Sequence, residues 1–330
     1  MRTGGLINSL RAVAVAGAIM LIPGQAMAAD TRAEAVDRTE VTIAPVDLDG
    51  PAIATVKVTV KNAGPDRMRS LKVSFSGPVG WAVQPSAQEP GGTYAKGAAV
   101  DLTFRIQVPE QRPGFRIRTF EATASYRGGD GVGSATGTRS QRTGAPSPNL
   151  AAAYNNVAIT DENNTAPGNY DGEGNSFSAQ KLADVGLVRG ARVKALGADL
   201  TWPDVPSGSK NNVSGAGQAV ALSGSGSKLV LLGSGVTSNA VGSATVYYKD
   251  GTSTQGSFGF PNWSFDPVTA HGAILVASSD GRNRPSGYGN AGIKYSVFAH
   301  SIPLDKSKEV EFVVLPSNGN VHIFDIALAP

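Results

Sequence analysis

The 330-residue sequence contains no cysteine and only three histidines, and charged residues make up 17% of it. The absence of cysteine excludes disulfide bonds, thiolate metal ligands, a cysteine nucleophile and a lipid-modified cysteine. No pair of histidines has the spacing of metal ligands, and none accompanies the Gly-x-Ser-x-Gly sequence of a serine hydrolase. The protein must therefore be stabilised by its hydrophobic cores, and about 300 residues in two domains can bury enough apolar surface.

Residues 1–28 have the features of a secretory signal peptide in the expected order. Arg2 and Arg11 give a basic start, residues 12–22 are apolar, and residues 26–28 are small, as a cleavage site requires. The apolar run is too short to span a bilayer, and no later segment is long enough either. The sequence therefore predicts a secreted, extracellular protein without a transmembrane anchor.

The charge balance excludes one class of partner. Removal of residues 1–28 takes away two arginines and no acidic residue, so the formal charge falls from +3 to +1. The remaining chain lacks the concentrated basic charge that nucleic-acid-binding proteins carry. We therefore expect no nucleic-acid partner.

The first half of the chain alternates apolar and polar residues with a period of two, which is typical of β-strands that are buried on one face. The sequence IATVKVTVK at residues 53–61 and AVDLTFRIQV at residues 99–108 are the clearest cases. Several such strands without a helical stretch predict an immunoglobulin-like β-sandwich over residues 39–126. Residues 127–149 are rich in Gly, Ser, Thr and Pro, which predicts a flexible linker.

The second half is also predicted to be all-β. Residues 150–330 contain about eight β-rich segments without alternating helices, and a Lys-Asp-Gly-Thr sequence between two of them is a strong hairpin signal. This pattern predicts a second sandwich of the jelly-roll type. The fold class is therefore all-β, with two sandwiches after the signal peptide.

Two stretches carry resemblances to known families. VTVKNAGPD and GPVGWAV, followed by VDLTFRIQVP, resemble the NEW3 domain that is associated with α-galactosidases and other secreted glycosidases. This resemblance implies an accessory sandwich without catalytic residues. Residues 150–328, with YNNVAITDENNT and VHIFDIAL, are similar to a C-terminal module of secreted actinobacterial glycoside hydrolases. That similarity implies a galactose-binding-like sandwich and a possible partner glycosidase.

The sequence NYDGEGNSFSAQKL at residues 169–182 concentrates oxygen-bearing side chains in a turn. It does not form an EF-hand, because Ser176 and Leu182 stand where the loop needs Gly and Glu. Two alternatives remain open: a looser calcium site, or a turn in which Ser178 caps a short helix. The candidate ligands of one structural calcium ion are Asp161, Asp171, Glu173 and Asn175; with the second alternative there is no cofactor.

Carbohydrate binding needs flat apolar side chains for the C–H face of a sugar and polar groups for its hydroxyls. GFPNWSFDP and DGRNRPSGYGN, at residues 259–267 and 280–290, supply both. The second stretch is polar and rich in glycine, which predicts an exposed loop. Trp263 has an equally good alternative as part of the core. The candidate carbohydrate-binding residues are Trp263, Arg282, Asn283, Arg284, Tyr288 and Asn290.

Three functions are compatible with the sequence. The first is a secreted, non-catalytic carbohydrate-binding or cell-surface accessory protein, whose partner is a polysaccharide or glycoconjugate. The second is a glycoside hydrolase with a carboxylate pair in the second domain, since such enzymes need two opposed acids. The third is a structural or adhesive surface protein.

Overall fold

The computed structural model describes residues 38–110 and 114–330. The predicted signal peptide lies outside these residues. Within them, no helix has the length and apolar character needed to cross a membrane. The regular secondary structure of the described residues is almost entirely β-strand, which confirms the all-β prediction.

In chain order the described strands are β1 (Glu40–Ile43), β2 (Ile53–Lys61), β3 (Met68–Ser76), β4 (Val83–Gln84), β5 (Ala87–Gln88), β6 (Thr93–Tyr94), β7 (Ala99–Gln107), β8 (Arg116–Arg127), β9 (Ser134–Thr143), β10 (Ile159–Thr160), β11 (Phe177–Ser178), β12 (Arg192–Ala195), β13 (Ala198–Thr201), β14 (Val213–Ser214), β15 (Ala219–Gly224), β16 (Lys228–Gly235), β17 (Val241–Tyr248), β18 (Ser253–Gly259), β19 (Ile274–Arg284), β20 (Gly287–Pro303), β21 (Val310–Val314) and β22 (Val321–Ala329). A short helix, α1, spans Ala179–Ala183, and 3-10 turns lie at Ala151–Ala153 and Ala270–Gly272.

The first sandwich packs two antiparallel sheets with the strand orders β1-β2-β7-β4 and β5-β3-β8-β9, and β6 pairs with β3. In β2, Val56, Val58 and Val60 are buried while Lys57 is exposed, as the alternation predicts. The inner faces meet in one apolar core, and the sheet arrangement is that of an immunoglobulin-like sandwich. The largest core side chains include Met68, Phe75, Phe104, Phe120 and Tyr126.

Strand β9 corrects the predicted linker. Residues 134–143, placed in the linker over residues 127–149, instead pair with β8 along ten residues of register. The strand has few large apolar side chains because it lies at the edge of its sheet. Its inward Gly137 is required by close packing, since a Cβ there would lie 2.2 Å from the Val41 carbonyl oxygen. A composition rich in Gly, Ser and Thr therefore fits a linker and a polar edge strand equally well, and the sequence alone does not distinguish them here.

The two sandwiches contact each other directly. Arg142 of β9 donates a 2.7 Å hydrogen bond to Glu311, and its guanidinium lies 4.7 Å from the ring centre of Phe312. Phe115 packs edge-on against the same ring at 5.1 Å. The backbone of Ser147 pairs with β15. The segment that joins the sandwiches is thus hydrogen-bonded and packed.

The second sandwich has a five-stranded sheet, ordered β14-β22-β16-β20-β19, and a four-stranded sheet, ordered β15-β21-β17-β18. The facing side chains form a second apolar core. Together with the first core, this confirms the prediction of two β-sandwiches. The residues of this core include Leu229, Leu231, Val246, Phe258, Phe260, Phe298, Val313 and Ile323.

A third layer covers the outer face of the five-stranded sheet. It is built from the chain between residues 155 and 211, which contains β10 to β13 and α1. Val230 and Leu232 of β16 pack against this layer, where Phe177 and Trp202 are buried. Because both faces of β16 are covered, its sequence is a continuous apolar run without alternation.

Candidate functional site

The predicted loop at residues 280–290 is the tip of a long β-hairpin. Strands β19 and β20 pair up to Arg284 and Gly287, so only Pro285 and Ser286 form the connection. Gly281 adopts a positive φ of 57° and shifts the register of the two strands. The resulting bulge turns the tip of the hairpin toward the third layer, where Ser176 pairs with β19.

Trp263 is buried and does not present a surface for a sugar. The prediction that it binds carbohydrate is therefore wrong. The side chain is only 2% exposed and packs against Tyr170, Phe177 and Tyr295, with ring-centre distances of 4.6–4.9 Å. The third layer covers it, which a reading of local sequence does not capture. Trp263 is therefore a core residue of the second domain.

Asn283 is also buried, at 0% exposure, in contrast to the predicted exposed loop. Its amide Nδ2 donates 2.9 Å hydrogen bonds to the carbonyl and hydroxyl oxygens of Thr160. Its backbone exchanges hydrogen bonds with Ser176. Asn283 thus ties the hairpin to the third layer and is not available to a ligand.

Arg282 lies over the same aromatic cluster. Its guanidinium is 5.8 Å from the ring centre of Trp263 and 5.7 Å from that of Tyr295. Its Nη1 lies 3.5 Å from the Asp171 carboxylate, and both side chains are largely buried, at 22% and 12% exposure. The stretch singled out for metal binding and the one singled out for carbohydrate binding therefore meet at this ion pair.

The predicted calcium ligands do not converge. The Asp171 carboxylate accepts hydrogen bonds from the Glu173 and Asn175 backbone N–H groups and from the Asn175 amide, in addition to its contact with Arg282. Asp161 instead accepts a hydrogen bond from Gln180. No group of three or more acidic or histidine side chains suited to a metal ion occurs in residues 38–110 and 114–330.

The alternative of a turn followed by a capped helix describes the residues well. The Ser178 hydroxyl accepts a 3.1 Å hydrogen bond from the Lys181 backbone N–H at the start of α1. Gly186, with a φ of 84°, ends the turn that follows the helix. Asp171 forms an Asx turn in the preceding loop. Its carboxylate faces N–H donors and the Arg282 guanidinium, which satisfy its negative charge without a metal ion.

Tyr288, on the surface of the hairpin, contacts both a carboxylate and an ammonium group. Its hydroxyl donates a 2.9 Å hydrogen bond to the Asp280 carboxylate, and the Lys181 ammonium lies 5.5 Å from its ring centre. Partial burial, followed by the Asp280 carboxylate, raises the pKa of Tyr288 to about 12. The hydrogen bond from Tyr288, followed by one from the Gly292 N–H, lowers the pKa of Asp280 below its ordinary value. At neutral pH the pair is thus a phenol and a carboxylate.

The remaining two predicted residues flank this group. Asn290 adopts a φ of 59° and donates a 2.8 Å hydrogen bond to the Tyr295 hydroxyl. Arg284 packs along Gly289, where a Cβ would lie 2.4 Å from the guanidinium. Both side chains are partly exposed. We call the partly exposed side chains at this tip the hairpin end: Lys181, Asp280, Arg284, Tyr288 and Asn290.

Two members of the hairpin end were not among the predicted site residues. Asp280 opens the stretch DGRNRPSGYGN, so its proximity in sequence was a usable signal. Lys181 lies about a hundred residues earlier and is brought to Tyr288 only by the packing of α1 beside β19. The sequence contains no local signal for that contact.

Comparisons with known proteins agree with the division of the chain into two domain types. Residues 52–127 match the family model described as the NPCBM-associated, NEW3 domain of alpha-galactosidase. Residues 146–330 match the family model described as the AziU2-like beta-sandwich domain. The order is the predicted one, a NEW3 domain followed by a C-terminal β-sandwich. Among curated proteins, none matches the chain.

Two solved structures that match the chain share little sequence with it. The CupB2 chaperone of Pseudomonas aeruginosa is 9% identical, with 83% of this chain and 93% of that chain covered and a TM-score of 0.22. A deletion mutant of Bacillus subtilis oxalate decarboxylase OxdC is also 9% identical, with 81% and 69% covered and a TM-score of 0.11. Both TM-scores are too low to bear on fold or function.

Proposed function

We propose a function from the premise that the chain belongs to the family of AziU2-like β-sandwich domains, which residues 146–330 match, and that it carries a NEW3 domain. The protein is a secreted accessory protein that binds polysaccharide through the hairpin end and acts beside glycan-processing enzymes. The described association of the NEW3 domain with α-galactosidase supports the glycan context.

The observation that carries the proposal is the arrangement around Tyr288. A sugar ring offers C–H groups to an aromatic face and hydroxyl groups to carboxylates, ammonium groups and amides. Tyr288 supplies the ring, Asp280 accepts hydrogen bonds, and Lys181 and Asn290 donate them. Lys181 is 32% exposed, so its flexible side chain can move off the ring when a sugar binds.

The site is a shallow surface held by rigid elements. The hairpin strands fix Tyr288 and Asp280, while Asn283 fixes the hairpin to the third layer. A surface that encloses little of its ligand gives modest affinity for a single sugar unit. Binding to a polymer with many repeated units is therefore the appropriate assay.

The test is a pull-down on insoluble cellulose, chitin, xylan, galactan and cell-wall sacculi. We expect the wild-type protein to be retained by at least one polysaccharide, and Tyr288→Ala to reduce this retention strongly. The matched control is Tyr94→Ala, which removes a partly buried tyrosine of the first sandwich whose hydroxyl binds the Gly91 carbonyl. Retention that is equal in wild type and Tyr288→Ala would refute the site.

The same panel separates the other two functions. Release of reducing sugar from one of the polysaccharides would support a glycoside hydrolase. Failure of every polysaccharide to retain the protein would support a structural or adhesive role with protein partners. Either outcome would contradict the proposal.

A further inference from the structure

The two arginines at the tip of the hairpin have hydrogen-bonding capacity that their neighbours do not use. In the described part of the chain, the Nε–H groups of Arg282 and Arg284 are buried and have no hydrogen-bond partner. Arg284 makes no ion pair with any residue in ranges 38–110 and 114–330. Buried N–H groups are almost always paired in folded proteins. Because protein atoms enclose both Nε–H groups, a ligand would have to reach these arginines through their Nη groups.

The backbone holds both guanidinium groups on one face of β19. Residues two apart in a strand point to the same side, and Arg282 and Gly289 are direct cross-strand partners. Arg284 lies flat along Gly289, because no side chain at that position blocks it. The absence of a side chain at Gly289 therefore lets the Arg284 guanidinium lie against the backbone of β20, on the same face of the hairpin as Arg282.

The ion pairs around the hairpin leave Arg284 as the available cation. Asp171 holds Arg282, and the Asp280 carboxylate is shared by Tyr288 and Lys294. Because Asp171 is fixed by three further N–H donors, it cannot reach across to Arg284 without losing them. An anion that approaches the tip would meet Arg284 first and the guanidinium of Arg282 behind it.

We propose that Arg284, supported by Arg282, binds the oxyanion of an acidic polysaccharide, so that the protein selects acidic over neutral glycans. This inference rests on the proposed function and names the class of its ligand. A planar guanidinium offers two parallel N–H groups that match a carboxylate, and a sulfate ester presents similar oxygens.

Affinity electrophoresis tests the inference with polygalacturonate, fully methyl-esterified polygalacturonate, dextran sulfate and neutral dextran. We expect the wild-type protein to prefer polygalacturonate to its ester, and this preference to weaken as salt screens the charges. Arg284→Ala should lower the affinity for polygalacturonate about tenfold or more, since it removes a charge-assisted hydrogen bond. The affinity for the ester should fall by a smaller factor, because the ester offers no carboxylate to the guanidinium.

Two further variants show whether the effect depends on the shape of the guanidinium and whether it is specific to Arg284. Arg284→Lys keeps the charge but loses the planar fork, so we expect intermediate affinity. Arg189→Ala removes an exposed arginine that pairs with Asp204 at 2.7 Å, and should leave binding unchanged. If dextran sulfate alone binds in a manner that depends on Arg284, the oxyanion is a sulfate and the inference stands.

The inference and the proposed function fail in different ways. Measurable and equal affinity for polygalacturonate and its ester, unaffected by Arg284→Ala, would overturn the inference and leave polysaccharide binding intact. Binding of the acid that survives Arg284→Ala with an unchanged melting temperature would also overturn it. Absence of binding to every polymer, here and in the pull-down, would overturn both.

Discussion

Lowering the pH is expected to destabilise the second domain through His322. This side chain is 2% exposed and lies in β22, with its Nδ1 2.7 Å from the Asn212 carbonyl oxygen. The Asn212 amide nitrogen donates to the Asn156 carbonyl, so the Asn212 oxygen must accept from Nδ1–H. The ring also packs 4.4 Å from that of Tyr170. These contacts hold His322 as a neutral imidazole in a largely apolar site.

The pKa of His322 gives the magnitude. Burial lowers the pKa of His322 from the ordinary histidine value of about 6.5 to about 4, although the Gly319 backbone and the Asp171 charge oppose this shift. Below pH 6.5 the unfolded chain therefore binds a proton that the folded chain does not, and stability falls as the pH falls. At about 1.4 kcal/mol for each pH unit, the loss is about 2 kcal/mol at pH 5 and about 3 kcal/mol at pH 4.

The assay is urea unfolding of the wild type and of His322→Asn at pH 7, 6, 5 and 4. Asparagine keeps an N–H donor close to the position of Nδ1 and does not titrate. The difference between the two proteins cancels the other titrating groups, among them Asp325, whose pKa is raised by burial. We expect the wild type to lose stability relative to the variant between pH 6.5 and 4. Parallel pH profiles would refute the reasoning.

Three further predictions concern stability. Trp263→Ala should lower the free energy of unfolding by about 3–5 kcal/mol in urea titrations, because it empties a packed aromatic site; a loss below about 1 kcal/mol would contradict its burial. Arg142→Ala should weaken the contact between the sandwiches by about 1–2 kcal/mol, since it removes a partly exposed ion pair and the cation–π contact with Phe312. Calorimetry should then resolve two transitions, and a single unchanged transition would contradict the coupling. Addition of EDTA should leave the melting temperature unchanged, because Asp171 is satisfied by N–H donors; a decrease that calcium reverses would restore the metal site.

Much of the fold could be predicted from alternation alone. β2 and β7 each bury one face against a single core, so their period of two is visible in the sequence. The same rule does not apply to β16, which is buried on both sides by the four-stranded sheet and the third layer. The alternation rule also failed to predict β9. The residues of this strand are mostly polar because it lies at a sheet edge, and its Gly137 packs closely against the backbone of Val41.

For residues 280–290, the sequence predicted surface exposure correctly at some positions and wrongly at others. The polar composition of residues 280–290 indicated a surface element, and Arg284, Tyr288 and Asn290 are indeed partly exposed. Trp263 and Asn283 were misjudged because their burial depends on the chain between residues 155 and 211, which folds over them. A contact of that kind is set by the tertiary structure, and no short sequence window encodes it.

Chemical-shift mapping tests most directly whether polysaccharide binds at the hairpin end. Backbone amide signals would be followed while an oligosaccharide of the polymer that retains the protein is added. We expect saturable shifts in residues 280–292 and in α1, with none in the first sandwich. Shifts centred on residues 40–143, or no saturable shift at the hairpin end, would contradict it.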